Sequence, residues 1–220
     1  MQKLTPAQAL IITVAALILL IGGGYYLFHR GTPSVPDTAG QATSTPSDTA
    51  SDSGSASIDL AHPKVGPIAF DASLGLTPEI RQELTAQLKE AQSAIAANPL
   101  NLHAWLGLGG VYKVGGDYAD AAAAWEYILS VTPKDVSANY NLGDLYQNYL
   151  KDYPKAEAHY LTVIERKPND VETYANLYTM YRYQYKTDTS AAADILAKGL
   201  AANPGNNRLL SLQQDLQAGN

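Results

Sequence analysis

The sequence predicts an all-α fold made of stacked helical hairpins, and three observations carry that prediction. Prolines recur at Pro99, Pro133, Pro168 and Pro204, at intervals of 34, 35 and 36 residues. Between them, apolar side chains return every three or four positions, the spacing that gathers them on one face of a helix. Small and large residues also return in phase, so that glycine and alanine stand at fixed distances from tryptophan and tyrosine. A hairpin of this size cannot bury its apolar face alone, and about three must stack to make a core.

The first unit, residues 102–135, shows the register most fully. Counting from Leu102, Trp105 falls at position four, Leu108 at seven, Gly109 at eight and Tyr112 at eleven. After a Gly-Gly-Asp turn, Ala121 falls at twenty, Trp125 at twenty-four and Pro133 at thirty-two. The second unit, 136–170, carries Leu142, Gly143, Tyr146, Ala156, Tyr160 and Pro168, with one extra residue expected in its turn around Asp152 and Pro154. The third, 171–206, carries Tyr174, Leu177 and Tyr181, but Tyr178 replaces the glycine and the turn at 186–189 is longer by about two residues. This pattern resembles the tetratricopeptide repeat, a helix–turn–helix unit of about 34 residues. The resemblance implies a right-handed superhelix of three repeats.

Two further helices are expected at the ends. Thr77 and Pro78 supply a hydroxyl cap and a first-turn proline, and Ile80, Leu84, Leu88, Ala91 and Ile95 then share one face. This helix, 78–98, ends at the same phase as the later units and acts as an N-terminal cap. Residues 207–218 set Leu209, Leu212 and Leu216 opposite Gln213, Gln214 and Gln217, one apolar and one polar face, as a terminal helix requires. The expected domain is 71–220.

Ahead of it lie an anchor, 1–30, and a linker, 31–70. The 20 positions from Ala9 to Phe28, ALIITVAALILLIGGGYYLF, contain no charge. A helix of that length spans about 30 Å, the thickness of a bilayer's hydrocarbon core. Tyr25 and Tyr26 suit the interface. A cleaved signal whose apolar core stops at Ile21 competes with the anchor, but no A-x-A-like site comes after it. Arg30, against Lys3 and the terminal amine, leans toward a cytoplasmic N-terminus, and the absence of Lys or Arg from Gly31 until Lys64 suits export of the downstream chain. Residues 31–57 carry no apolar side chain larger than Val35 and are expected to form a disordered spacer. Residues 58–70 regain Ile58, Leu60, Val65, Ile68 and Phe70, and Pro63 and Pro67 forbid a helix interior. An extended segment pinned on the first helices is expected there, with a linear motif for a partner as the alternative.

Several functions are excluded on composition and motif. A net charge of −6 with no basic stripe argues against nucleic acid. The absence of cysteine removes disulfides, thiolate metal sites and thiol nucleophiles. His29, His62, His103 and His159 are scattered, without metal-ligand spacing. The run Gly107-Leu108-Gly109-Gly110 falls mid-helix and lacks the Lys-Ser/Thr of a phosphate loop. Neither catalysis nor a cofactor is expected.

The resemblance implies a partner-binding concave groove lined by the first helices. Its positions two, five, nine, twelve and thirteen map to His103, Leu106, Gly110, Lys113 and Val114, to Ser137, Tyr140, Asp144, Gln147 and Asn148, and to Glu172, Ala175, Thr179, Arg182 and Tyr183, with Arg208 next. The principal expected contacts are Leu106, Gly110, Lys113, Tyr140, Asp144, Gln147, Asn148, Thr179, Arg182 and Tyr183. Chaperone-binding members of the family clamp a C-terminal carboxylate, but Leu106, Gly110, Glu172 and Asn176 replace four of the clamp residues and only Asn141 fits. Ten of the fifteen tyrosines fall between Tyr140 and Tyr185. Tyr140, Tyr183 and Tyr149 are therefore expected to form an aromatic patch, since tyrosine gives large contact area at low entropic cost.

The layout resembles bacterial single-span proteins that hold such repeats outside the inner membrane as adaptors or assembly factors. The resemblance thus implies a membrane-anchored interaction scaffold with an extracytoplasmic repeat domain. A self-associating homo-oligomer of the envelope and a wall-glycan module are the alternatives.

Overall fold

Each hairpin begins two residues after a proline, and the residue there is always one that can cap a helix. Asn101, Asp135, Asp170 and Asn206 come two positions after Pro99, Pro133, Pro168 and Pro204. In the computed structural model, which describes residues 62–186 and 189–219, each of these side chains accepts a hydrogen bond from the first turn of the helix it opens. Such a cap contributes about 1 kcal/mol. The described residues fold as eight α-helices without strands: α1 (Pro78–Ala97), α2 (Leu102–Gly115), α3 (Tyr118–Val131), α4 (Val136–Leu145), α5 (Tyr153–Arg166), α6 (Val171–Tyr183), α7 (Thr189–Ala202) and α8 (Asn207–Ala218). Each helix packs on the next, and α2 also meets α4 and α6 meets α8, so first helices of successive hairpins lie side by side.

The seam inside a hairpin is a glycine facing an aromatic ring. A Cβ on Gly109 would stand 2.3 Å from Trp125 Nε1, and one on Gly143 would stand 2.6 Å from the Tyr160 ring. The third hairpin shifts the small residue to the second helix, where Gly199 receives Tyr174, while Tyr178 fills the place of the missing glycine. Trp105, Trp125, Tyr112, Tyr160, Tyr174 and Tyr178 are all buried. Between hairpins, three equivalent tyrosines reach back by their hydroxyls. Tyr112 donates to the Gly66 carbonyl at 2.9 Å, Tyr146 to Glu126 at 2.7 Å and Tyr181 to Glu157 at 2.5 Å. Burial, then the bonded carboxylate, pushes the Tyr146 and Tyr181 hydroxyls well above their usual range.

Tyr112 reaches Gly66 because residues 63–71 run extended over the start of the array. Gln92 Nε2 donates to the same carbonyl at 3.1 Å, and Asp71 N donates to Gly115 O at 2.9 Å. Gly115 leaves the notch that takes Ile68, for a Cβ there would meet Ile68 Cδ1 at 2.2 Å. Arg81 stands over the Phe70 ring at 5.7 Å. At the other end Leu209 and Leu216 are buried and Leu212 half-buried, with Gln214 and Gln217 outward.

The extra residue of the second hairpin is not where the sequence suggested. Helix α4 widens into a π-helical turn over Tyr146–Leu150, and Lys151 closes it in the left-handed region at φ 57. The bond that closes the first hairpin, Asp117 N to Tyr112 O at 2.9 Å, becomes Asp152 N to Tyr146 O at 3.0 Å. The insertion thus sits before the Asp152 cap, which leaves the Asp–Tyr start of α5 identical to that of α3. Among the described residues no helix is long and apolar enough to cross a membrane. The expected anchor from Ala9 to Phe28 and the spacer at 31–57 lie outside them.

Candidate partner-binding groove

The face shared by α2, α4, α6 and α8 results from the side chains that each helix leaves outside its core. On α2, Leu106 is half-buried and its carbonyl accepts from Trp125 Nε1 at 3.1 Å. One turn on, Gly110 faces open space, since a Cβ there would meet nothing within 4 Å. Lys113 comes next, ion-paired with Asp144 on α4, its side chain only 11 % exposed. Asn148 donates to the other Asp144 oxygen at 2.7 Å, and the Lys113 ammonium also lies 5.1 Å from the centre of the Tyr149 ring. Farther along, Arg208 of α8 grips Glu172 of α6 through both guanidinium nitrogens. Two ion pairs on this face thus link neighbouring helices, Lys113 to Asp144 and Glu172 to Arg208.

Uncharged groups lie between those pairs. Tyr140 is half-buried, edge-on to Tyr160 at 6.1 Å, and its hydroxyl accepts from Asn176 Nδ2 at 3.3 Å. Burial, then the Glu172 charge, pushes the Tyr140 hydroxyl up to about 12, so it stays a neutral donor across the biological range. Thr179 bonds back to the Ala175 carbonyl at 2.9 Å. Arg182 reaches Gly219 O at 3.5 Å, and Tyr183 is 63 % exposed.

Two expectations meet a different arrangement. Gln147 is 2 % exposed, not an open groove contact. It accepts from the Tyr160 hydroxyl at 3.0 Å and donates to Gln184 Oε1 at 2.9 Å, tying the second hairpin to the third. Helical register alone places it outward; the π turn rotates it in. Tyr140, Tyr149 and Tyr183 also divide among separate partners. Tyr140 packs on Tyr160, Tyr149 on Tyr118 at 4.7 Å, and Tyr183 on Tyr178 at 6.4 Å.

Sequence reasoning missed Asn139. It holds position four, where the first hairpin has Trp105, and does the same chemistry: Trp105 Nε1 donates to Pro99 O at 2.9 Å, Asn139 Nδ2 to Pro133 O at 3.3 Å. Its Oδ1 meets His159 Nδ1 at 3.0 Å, and His159 stacks on Tyr146 at 5.7 Å. The six-residue spacing from the proline was the available signal.

Among the described residues no cluster of three or more His, Asp or Glu could hold a metal ion. The face offers amide, hydroxyl and aromatic groups beside the open space at Gly110. Residues 88–125 and 111–171 match the family model described as Tetratricopeptide repeat. No curated protein matches the sequence.

Proposed function

Because the chain is a tetratricopeptide repeat protein across residues 88–171, we propose that it is an interaction scaffold holding a partner peptide or protein against α2, α4 and α6. The observation that carries this reading is the opening at Gly110. Helix backbone lies bare there, beside charges that are already paired, so a partner's main chain can approach without displacing a side chain. Gly110→Leu tests it. Leucine favours the helix by about 1 kcal/mol over glycine and its Cβ enters open space, so thermal stability should hold or rise. Binding of a groove partner should fall sharply, and unchanged binding would remove the groove.

The scaffold is held at a membrane in the same proposal. The uncharged stretch from Ala9 to Phe28 supports a single-pass anchor with a cytoplasmic N-terminus and an extracytoplasmic array. Resistance of the full chain to alkaline extraction from membranes tests the anchor. A monomeric adaptor is favoured over end-to-end assembly because both terminal helices turn polar side chains outward: Gln82, Glu83, Lys89 and Glu90 on α1, and Ser211, Gln214, Asp215 and Gln217 on α8.

A further inference from the structure

The start of the array holds a peptide of its own chain. From Pro67 onward its exposure alternates: Pro67 and Ala69 face out, while Ile68 and Phe70 are half-buried. Nothing from Pro63 to Asp71 is fully buried. The segment is held as a bound ligand is held, by its main chain and two side chains. Tyr112 Oη and Gln92 Nε2 both donate to Gly66 O, and Asp71 N donates to Gly115 O. Ile68 and Phe70 lie against Gly115.

Two comparisons with the later hairpins separate this seat from the array itself. Gln92 and Tyr112 stand one 34-residue repeat before Glu126 and Tyr146, where the tyrosine donates straight to the carboxylate. Gln92 carries an amide oxygen at the equivalent position, so Tyr112 keeps an acceptor when the segment leaves. The helices therefore close without it. The turn glycine makes the converse point. Lys151 and Lys186 sit in the left-handed region at φ 57 and 52 in the later turns, so that conformation tolerates a side chain. At Gly116 the segment forbids one: a Cβ there would stand 2.5 Å from Asp71 Cβ. A Cβ on Gly115 would likewise stand 2.2 Å from Ile68 Cδ1. The seat is shaped for a peptide that the fold does not need.

We propose that this seat between α1 and α2 is a second peptide-binding site, which takes an extended segment of a partner protein as residues 63–71 swing out. Gly75, at φ 60 ahead of the Thr77 cap, is the pivot. The resident segment defines the partner's chemistry. A main-chain carbonyl meets Tyr112 and Gln92, a branched aliphatic side chain two residues later enters the Gly115 notch, and an aromatic ring two beyond that lies under Arg81. The site is separate from the groove, for Tyr112 comes two residues after Gly110, about 200° around α2. It stands whether or not the groove binds.

A labelled synthetic peptide of residues 63–74 is the probe, and its anisotropy with the full chain is the measurement. In the intact chain it competes with a tethered copy at an effective concentration of millimolar order, so binding should be weak. Ile68→Ala with Phe70→Ala loosens the tethered copy, and the peptide should then bind about tenfold tighter. Adding Gly115→Ala to that pair closes the notch and should abolish the gain. The melting temperature should hold or rise, as alanine replaces glycine in the helix. Equal affinity for the intact and loosened chains, or binding to neither, overturns the proposal. So does loss of a cooperative melt in the loosened chain, since the segment would then be part of the core. Binding that survives Gly115→Ala puts the peptide elsewhere and overturns it too. Dimers of the intact chain that vanish on loosening would make a second copy the occupant and overturn the partner assignment.

Discussion

The first and second hairpins share a seam and differ in their turns. Both press an aromatic ring onto a glycine of the first helix, Trp125 on Gly109 and Tyr160 on Gly143. Both begin the second helix with an aspartate cap and a tyrosine, Asp117-Tyr118 and Asp152-Tyr153. The first turns on Gly116 at φ 87, while the second spends a π turn and a left-handed Lys151. The seam fixes where helices may lie, so an inserted residue must be absorbed outside it. A helix end is where that costs least, because its last carbonyls have no intrahelical donors to lose. The insertion has a second effect: it carries Gln147 into the core and leaves Tyr149 and Leu150 about two-fifths exposed.

The sharpest way to break this comparison is at the seam. Gly109→Ala would set a Cβ within 2.3 Å of Trp125, and the ring cannot yield without leaving its bond to Leu106 O. The expected net loss is about 2 kcal/mol, after an offset of about 1 kcal/mol from helix propensity, read from the urea midpoint. Stabilisation instead would mean the seam is not close-packed. The turns come next. Lys151→Gly relieves a left-handed lysine and should stabilise by less than about 1 kcal/mol, whereas Gly116→Ala, strained at φ 87 and blocked by Asp71 Cβ at 2.5 Å, should destabilise. Opposite signs in thermal melts support the comparison, and equal signs undo it.

The smallest effect concerns pH. Where the first hairpin has Ala124, the second has His159, and burial holds that imidazole below its usual 6.5. On acidification the unfolded chain takes the proton first, so the contribution is complete at neutral pH and is lost as pH falls through 6.5 toward the folded value. His159→Gln should therefore flatten the pH dependence of stability between neutral pH and about 5.5, a change of less than about 1 kcal/mol read from urea midpoints.

Much of the fold was legible because it rests on side-chain type at fixed spacing. Gly109, Trp125, Tyr146 and Tyr160 could be placed from the register alone, since each seam has room for only one size of residue. The insertion could not be placed, because a turn and a widened helix end consume the same extra residue and leave the same downstream phase. Gln147 was misread for that reason: its role depends on a rotation invisible to a 3.6-residue period. Of the groove, the bare Gly110 and the Lys113, Asp144 and Arg182 positions could be named, but not the pairing of Lys113 with Asp144. Lys113 and Asp144 are 31 residues apart, and only the stack brings them together. Tyr178 stood out as an odd residue at a glycine position, yet nothing in the sequence said that Gly199 of the second helix would take over the small residue's place.

The proline-x-Asn/Asp borders make array length an editable quantity. Every hairpin is cut from the chain at chemically equivalent points, with a capped helix on the far side and a proline carbonyl taken by Trp105, Asn139 or Asn203 on the near one. A duplication of residues 136–170 would therefore splice like onto like, lengthening the surface by one module while both polar ends stay as they are.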